Sequence, residues 1–135
     1  MILKKKQAHD RAKLLKRYWK KGIQYHSKSH EFISDYKNQY VVIKYGGFSL
    51  KKKSLVNSFA KNIALLNRLG IKIIVIHGGG PQIEEELKRK KIDDEEFQGL
   101  RITTKKILSI VKKILGNNLN KMIVREINKY DGNAI

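Results

Sequence analysis

Two glycine-rich stretches contain the residues best suited to chemistry in this chain. The first is KYGG at 44–47, and the second is HGGGP at 77–81. Glycine loses more backbone freedom on folding than any other residue, so consecutive glycines need a structural or chemical reason. Backbone N–H groups without neighbouring side chains can approach an anion closely and surround it as a concave nest. The two stretches therefore favour a phosphate-binding site over tight packing alone, which is the simpler alternative.

Charged residues and a proline beside the glycines strengthen this interpretation. Lys44 precedes the first glycine pair, so its ammonium group can reach a phosphate held by the second loop. Pro81 suits the first position of a helix, and the free N–H groups and dipole of a helix start favour negative charge. The acidic run at 84–86 would repel a phosphate unless its side chains point aside. Neither G-x-x-x-x-G-K-[ST] nor G-x-G-x-x-G occurs, so this is not one of those two nucleotide motifs.

His77 and Arg101 are two further candidates for a role near the loops. A histidine at a strand end is more often a structural hydrogen-bonding residue than a base. Phosphoryl transfer to a carboxylate needs no base, because the acceptor is already ionised. Arg101 follows Gly99 in an expected loop, where it could clamp a substrate carboxylate with two hydrogen bonds or remain a solvated surface residue.

The elements that position these residues follow from hydrophobic periodicity. Continuous apolar runs predict buried strands at 40–45 and 71–76, each followed by glycines. Apolar residues at helical spacing predict helices from about 52 to 69 and from Pro81 to about 91. The β-α-β-α order predicts a parallel sheet covered on both faces, in which ligands bind beyond the carboxyl ends of the strands.

The C-terminal third reads as a loop, two helices and the start of a strand. We expect a loop at 93–101, a helix through 107–114 that stops at Gly116, and a further helix through 119–130. Asp-Gly at 131–132 is a turn signal, and 133–135 resembles the opening of a third strand. The sheet is then expected to be incomplete, as in a truncated chain.

The N-terminal part predicts a basic amphipathic helix at 10–22, and a second helix at 29–37. Tyr18 and Trp19 lie on the apolar face of the first helix and favour a protein partner. No apolar run reaches the roughly 18 residues needed to cross a bilayer, and the first residues do not resemble a signal peptide. The chain has no cysteine, which excludes disulfides and thiolate metal sites and fits a reducing, cytoplasmic compartment.

The net charge of +18 raises the possibility of a nucleic-acid partner. Lysines spread over every segment favour a solvated surface instead, and the same field would attract small anionic substrates. A basic module that binds nucleic acid or a protein partner remains the non-enzymatic alternative.

Taken together, the motifs resemble the amino-acid kinase family, and within it the acetylglutamate kinases of arginine biosynthesis. The matching stretches are VVIKYGG at 41–47, IIVIHGGGPQI at 73–83, FQGLRIT at 97–103 and LNKMIVREINKYDGNAI at 119–135. The resemblance implies a parallel-sheet α/β sandwich and ATP-dependent phosphorylation of the side-chain carboxylate of N-acetyl-L-glutamate. Carbamate, aspartate and uridylate kinases share the fold and remain alternative specificities.

The resemblance also implies roles for individual residues. Lys44 would stabilise the transferring phosphoryl group, and Arg101 would bind the α-carboxylate of the substrate. The phosphate and substrate path would be lined by the glycines of both loops, which are Gly46, Gly47, Gly78, Gly79 and Gly80. No metal ligand is expected among the side chains of this chain, because ATP and Mg²⁺ would be bound mostly by the second half of the family fold.

Domain organisation follows from the same resemblance. Residues 1–28 would form an N-terminal extension, 29–135 the acyl-amino-acid-binding lobe, and the nucleotide-binding lobe would be absent. The protein would be a homo-oligomer, either a dimer or a hexamer joined through the N-terminal helix. Tyr18 and Trp19 would lie at that contact, which in some members also forms an arginine site. Such a chain is expected to be inactive on its own.

Overall fold

A computed structural model describes residues 33–135 of the 135-residue chain. The predicted helix at 10–22, with Tyr18 and Trp19, lies outside the described residues, as does most of the helix predicted at 29–37. Residues 33–35 close a helical turn, and Asn38, at φ 64°, leads the chain into the first strand.

Two parallel strands form the central sheet. Strand β1 spans Tyr40–Tyr45 and strand β2 spans Lys72–His77, and Tyr45 lies opposite His77 in the register. The predicted parallel pair is confirmed, although β2 begins one residue later than expected, after the buried Ile71. Helix α1, Lys53–Arg68, connects the strands. Gly70, at φ 91°, then adopts a conformation that few other residues tolerate and ends the crossover.

Only one face of this sheet is covered by the described residues. The inner face contributes Ile43, Ile73 and Val75 to the core, where they pack beneath α1 and the last helix. On the outer face, Val42 and Ile76 remain 59% and 56% exposed. The prediction that helices cover both faces is therefore wrong for residues 33–135. Both long helices lie on the same side of the sheet, so the outer apolar residues have no layer against them in this part of the chain.

Helix α2 spans Gly80–Arg89 and begins directly after the second glycine loop. Pro81 is its second residue rather than its first, a difference of one position. The segment at 93–101 was expected to be a loop and instead holds an antiparallel hairpin of strand β3, Glu96–Phe97, and strand β4, Leu100–Arg101. Gln98 and Gly99 both have positive φ, as a two-residue hairpin turn requires.

A single continuous helical rod follows the hairpin. It consists of α3, Lys105–Lys112, a π-helical segment, Lys113–Asn120, and α4, Lys121–Asn128. The expected stop at Gly116 is wrong, because the helix passes through this glycine in its π-helical segment. A glycine inside a helix costs only about 1 kcal/mol. The apolar residues buried on either side outweigh that cost, and they are Ile110, Ile114, Leu119, Ile123 and Ile127.

The chain turns after α4, as the Asp-Gly pair predicted, but 133–135 do not form a strand. Asp131 and Asn133 have φ values of 60° and 49°. The Asn128 side chain accepts a 2.7 Å hydrogen bond from the N–H of Ala134 and donates a 3.0 Å hydrogen bond to its carbonyl oxygen. These bonds hold the segment against the end of α4. No helix in the described part of the chain is long and apolar enough to span a membrane.

Candidate active site

The two glycine loops lie in backbone contact, as the sequence predicted from their positions after adjacent strands. A Cβ atom added at Gly47 would lie 3.0 Å from the Gly79 nitrogen and 3.0 Å from Pro81 Cδ. A Cβ at Gly78 would lie 3.1 Å from the Gly47 nitrogen. Side chains at 47 and 78 would therefore force the loops apart, so glycine there serves close packing.

Gln82 joins the two loops through its side chain, a role that the sequence interpretation missed. Its Nε2 donates a 2.9 Å hydrogen bond to the carbonyl oxygen of Gly47, and Gly78 N donates one of 2.9 Å to the Tyr45 carbonyl. Gln82 Oε1 is buried without a hydrogen-bond partner among the described residues. One feature of the sequence could have indicated this role: Gln82 is a polar residue directly after Pro81, in the first turn of a helix that starts at a loop.

The π-helical segment packs against the second loop. A Cβ at Gly79 would come within 2.5 Å of Leu115 Cδ2 and 2.8 Å of Leu119 Cδ1. Gly79 has an extended backbone, at φ −175°, so space rather than conformation requires glycine here. Leu115 and Leu119 of the helical rod therefore pack directly against this loop and leave no room for a side chain at residue 79.

Gly46 and Gly80 differ from the other three glycines of the loops. A Cβ at Gly46 would meet no atom within 4 Å, and one at Gly80 would meet only Glu84 Oε1, at 3.8 Å. Neither residue has a positive φ. Neither packing nor backbone conformation therefore accounts for glycine at these positions, and both leave open backbone that a ligand could approach.

Lys44 lies on the exposed outer face of β1, one residue before the strand ends. It is in register with Ile76, which precedes His77 at the same edge of the sheet. The structure thus places Lys44 at the edge that carries both loops, while its catalytic role stays a prediction.

The strand ends beneath the loops are anchored by an aromatic residue and a histidine. The Tyr45 ring stacks on Phe59 with 3.8 Å between ring centroids, and burial raises the pKa of the Tyr45 hydroxyl. His77 Nδ1 lies 3.0 Å from the carbonyl oxygen of Gly78 and donates to it. This hydrogen bond agrees with a structural role for His77, which stays a prediction.

Arg101 is held by an ion pair rather than freely solvated, while its role toward a substrate stays a prediction. Its side chain is 18% exposed. Its Nε donates to Asp94 Oδ1 at 2.6 Å, and its Nη2 donates to Asp94 Oδ2 at 2.7 Å. The same Nη2 lies 3.7 Å from Glu84 Oε1 on α2. Since Glu84 also borders Gly80, the hairpin brings Arg101 beside the second loop.

The acidic side chains of the run on α2 contact different parts of the structure. Glu86 accepts hydrogen bonds from Arg89 toward the end of the helix, and these bonds, with the charges of Arg89 and Lys90, lower its pKa. Glu84 remains near the loop, so the expected repulsion of an anion is only partly relieved. Residues 33–135 contain no group of three or more His, Cys, Asp or Glu residues that could hold a metal ion.

Comparison with known proteins supports the fold and identifies the family. The model of the amino acid kinase family matches residues 39–135. Acetylglutamate kinase of Lawsonia intracellularis is 42% identical over 104 residues, which are 77% of this chain and 35% of that protein. Acetylglutamate kinase of Bartonella bacilliformis is 44% identical over 97 residues, covering 72% of this chain and 32% of that one. The chain thus spans about a third of the length of the curated relatives it matches.

The fold is shared with a solved structure. N-acetylglutamate synthase from Neisseria gonorrhoeae, complexed with coenzyme A and N-acetyl-glutamate, superposes with a TM-score of 0.63 at 21% identity. The superposition covers 74% of this chain and 23% of the synthase. The match to the family model over residues 39–135 includes the parallel strand pair, both glycine loops and Arg101, and on this ground the chain belongs to the amino acid kinase family.

Proposed function

We propose that this chain forms the acyl-amino-acid-binding part of an acetylglutamate kinase, which phosphorylates the side-chain carboxylate of N-acetyl-L-glutamate with ATP. The observation that carries the proposal is the approach of Arg101 to the start of α2. Its Nη2 is 3.7 Å from Glu84, which in turn borders the open backbone at Gly80. A cation suited to a carboxylate thus lies beside a loop suited to a phosphoryl group. The names of the relatives support the choice of substrate.

In the proposed reaction the substrate lies between Arg101 and the loops. Arg101 binds the α-carboxylate with two parallel hydrogen bonds, which fixes the orientation of the molecule. The side-chain carboxylate then points to the glycine loops, where it attacks the γ-phosphorus of ATP as an already ionised nucleophile. A bond forms between the carboxylate oxygen and phosphorus, the bond to the bridging oxygen of ATP breaks, and ADP leaves.

The charge that develops on the transferring group needs positive partners. The open backbone at Gly46 and Gly80 can come close to its equatorial oxygens. Lys44, at the same edge of the sheet, supplies a mobile ammonium group. ATP with Mg²⁺ provides the phosphoryl group, and the metal ion neutralises phosphate charge. Most of the nucleotide site and the lobe that forms it are proposed to lie outside these 135 residues, which are about a third of the relatives' length.

The same proposal includes the oligomeric state and the cellular compartment of the protein. The chain would act as part of a cytoplasmic homo-oligomer, with the segment 1–28 at a subunit contact. Alone it would be inactive, because the second substrate would lack most of its binding site.

A fusion protein tests this proposal. Residues 1–135 are joined to the part of the Lawsonia intracellularis acetylglutamate kinase that follows the matched region, and the folded fusion is assayed for ADP release. We expect release that depends on N-acetyl-L-glutamate, and not on carbamate, aspartate or UMP. Lys44→Met should abolish turnover without unfolding the fusion. Turnover with a different acceptor alone, or none from a folded fusion, would overturn the proposal.

A further inference from the structure

Asp94 occupies one specific edge of the Arg101 guanidinium. Its two carboxylate oxygens accept from Nε and Nη2 at 2.6 and 2.7 Å, which is a side-on, bidentate pair. A guanidinium carries five N–H groups in a fixed planar fork. A carboxylate on the Nε edge therefore leaves the Nη1 and Nη2 edge available for a second carboxylate.

The Arg101 side chain needs contacts beyond its own hairpin to be held in one conformation. It lies on a two-residue strand, β4, whose partner β3 is equally short. Few backbone contacts of such a hairpin could fix the four torsions of an arginine side chain. The pair with Asp94 provides this constraint, and the two side chains are partly covered, at 18% and 24% exposure, although Asp94 as a whole residue is exposed. Ordering the side chain before substrate arrives removes an entropy cost from binding.

Helix α2 lies beside the held guanidinium. Nη2 lies 3.7 Å from Glu84 Oε1, which is beyond hydrogen-bond range, and that oxygen is also the nearest atom to a Cβ built at Gly80. The guanidinium thus has Asp94 on its Nε side while its Nη2 atom borders the second glycine loop.

We propose that Asp94 is a positioning residue, which holds Arg101 so that its Nη1 and Nη2 edge is presented to the α-carboxylate of the acyl amino acid. The inference rests on the function proposed above and adds a residue that the sequence interpretation did not consider. The opposite role would be competition, in which Asp94 must be displaced before substrate can bind. The two roles predict opposite changes in the KM for N-acetyl-L-glutamate when Asp94 loses its charge.

The test uses the fusion protein and the variants Asp94→Asn and Asp94→Glu, with Asp93→Asn as the matched control. Asp93 is adjacent and exposed, and has no ion pair within residues 33–135. We expect Asp94→Asn to raise KM about tenfold, as loss of a charged hydrogen-bond pair does, with kcat within about threefold of the parent value. Asp94→Glu should restore KM to within about threefold. Asp93→Asn should leave both constants unchanged.

A second ligand separates positioning from a general structural effect. The α-amide of N-acetylglutamate keeps the reacting carboxylate but removes the group that Arg101 is proposed to bind. Its KM should be high with the parent fusion and should not rise further in Asp94→Asn. An equal rise for both ligands, an unchanged KM, or a lowered KM for N-acetyl-L-glutamate would each overturn the role of Asp94 while the proposed function stands. An inactive, folded parent fusion would overturn both.

Discussion

Gln82 Nε2 donates a 2.9 Å hydrogen bond to the Gly47 carbonyl oxygen and thereby links residues 35 positions apart in the chain. This bond connects the first turn of α2 to the loop after β1. The loops are also joined by the 2.9 Å hydrogen bond from Gly78 N to the Tyr45 carbonyl oxygen and by close contacts of glycine backbone, which leave no room for side chains at 47 and 78. The site is therefore built from two loops that depend on each other.

Replacing Gln82 should loosen this link. Gln82→Glu replaces the donor by a carboxylate oxygen that faces the Gly47 carbonyl, and we expect it to lower the free energy of unfolding by about 1–3 kcal/mol. Gln82→Met, which removes the donor and also the unpartnered buried oxygen, should cost less. Urea denaturation measures both. Gln39→Glu, the same change at an exposed position, is the control. Equal losses at 82 and 39 would show that the link contributes nothing.

Adjacent glycines should respond differently to alanine. Gly47→Ala places a methyl group 3.0 Å from backbone nitrogen and proline carbon, so we expect a loss of about 1–3 kcal/mol in unfolding free energy. Gly46→Ala meets no atom within 4 Å and should change stability by less than about 0.5 kcal/mol.

The variants Gly46→Ala and Gly47→Ala also distinguish a glycine required for packing from a glycine that lets a ligand approach the backbone. In the fusion protein, Gly46→Ala should lower kcat about tenfold or more, because a methyl group would stand where the transferring phosphoryl group approaches the backbone. Steady-state turnover of the folded variant measures this effect. A Gly46→Ala variant with parental kcat would remove Gly46 from the site.

Glu84 should oppose substrate binding. Its carboxylate lies 3.7 Å from Arg101 Nη2, on the side proposed for the incoming α-carboxylate. Because Glu84 is 51% exposed, solvent weakens the repulsion, and we expect Glu84→Gln to lower KM by only about two- to threefold. Glu85→Gln, on the exposed surface of the same helix, controls for the loss of net charge. A raised KM in Glu84→Gln would contradict this arrangement.

Glu126 should make stability depend on pH. This buried carboxylate on α4 accepts a 2.6 Å hydrogen bond from Lys129, and that bond, with the charges of Lys129, Arg125 and Lys53, lowers its pKa. A pKa that is lower in the folded than in the unfolded state stabilises the fold above the unfolded value. The contribution is lost as pH falls through the folded value.

We therefore expect Glu126→Gln to reduce the urea midpoint at about pH 6, and to reduce it less at the lowest pH at which the parent still folds, because the parent carboxyl also becomes protonated as pH falls through its folded pKa. Glu85→Gln serves again as the surface control. The same loss at both pH values would mean that the charge of Glu126 does not contribute.

Local patterns predicted most of the elements, because periodicity reports which face of a segment is buried. The apolar runs before the glycines identified β1 and β2, and helical spacing identified α1 to within one residue of each end. The sequence did not predict the hairpin, because a strand of two residues is too short to show an alternation of apolar and polar residues. Gly116 was misread because the packing around the helical rod outweighs the helix-breaking tendency of one glycine.

The site was predicted in outline but not in its supporting contacts. Lys44 and the loop glycines were proposed from their residue types and their positions at strand ends, and Arg101 from its loop after the second helix, and their roles stay predictions. Gln82 and Asp94 could not be proposed in this way, since their partners are chosen by the folded arrangement of loops and hairpin. Nor could local patterns predict that the described residues leave the outer face with Val42 and Ile76 uncovered, since this depends on the side of the sheet against which the helices pack.

The most direct measurement of the central claim is identification of the phosphorylated group. The fusion protein is incubated with ATP, Mg²⁺, N-acetyl-L-glutamate and hydroxylamine, which converts an acyl phosphate into a hydroxamate, and mass spectrometry locates the modified carboxyl. The account predicts the side-chain hydroxamate, formed in proportion to ADP and absent with Lys44→Met. A hydroxamate at the α-carboxyl, or ADP release by the folded fusion without hydroxamate, would contradict it.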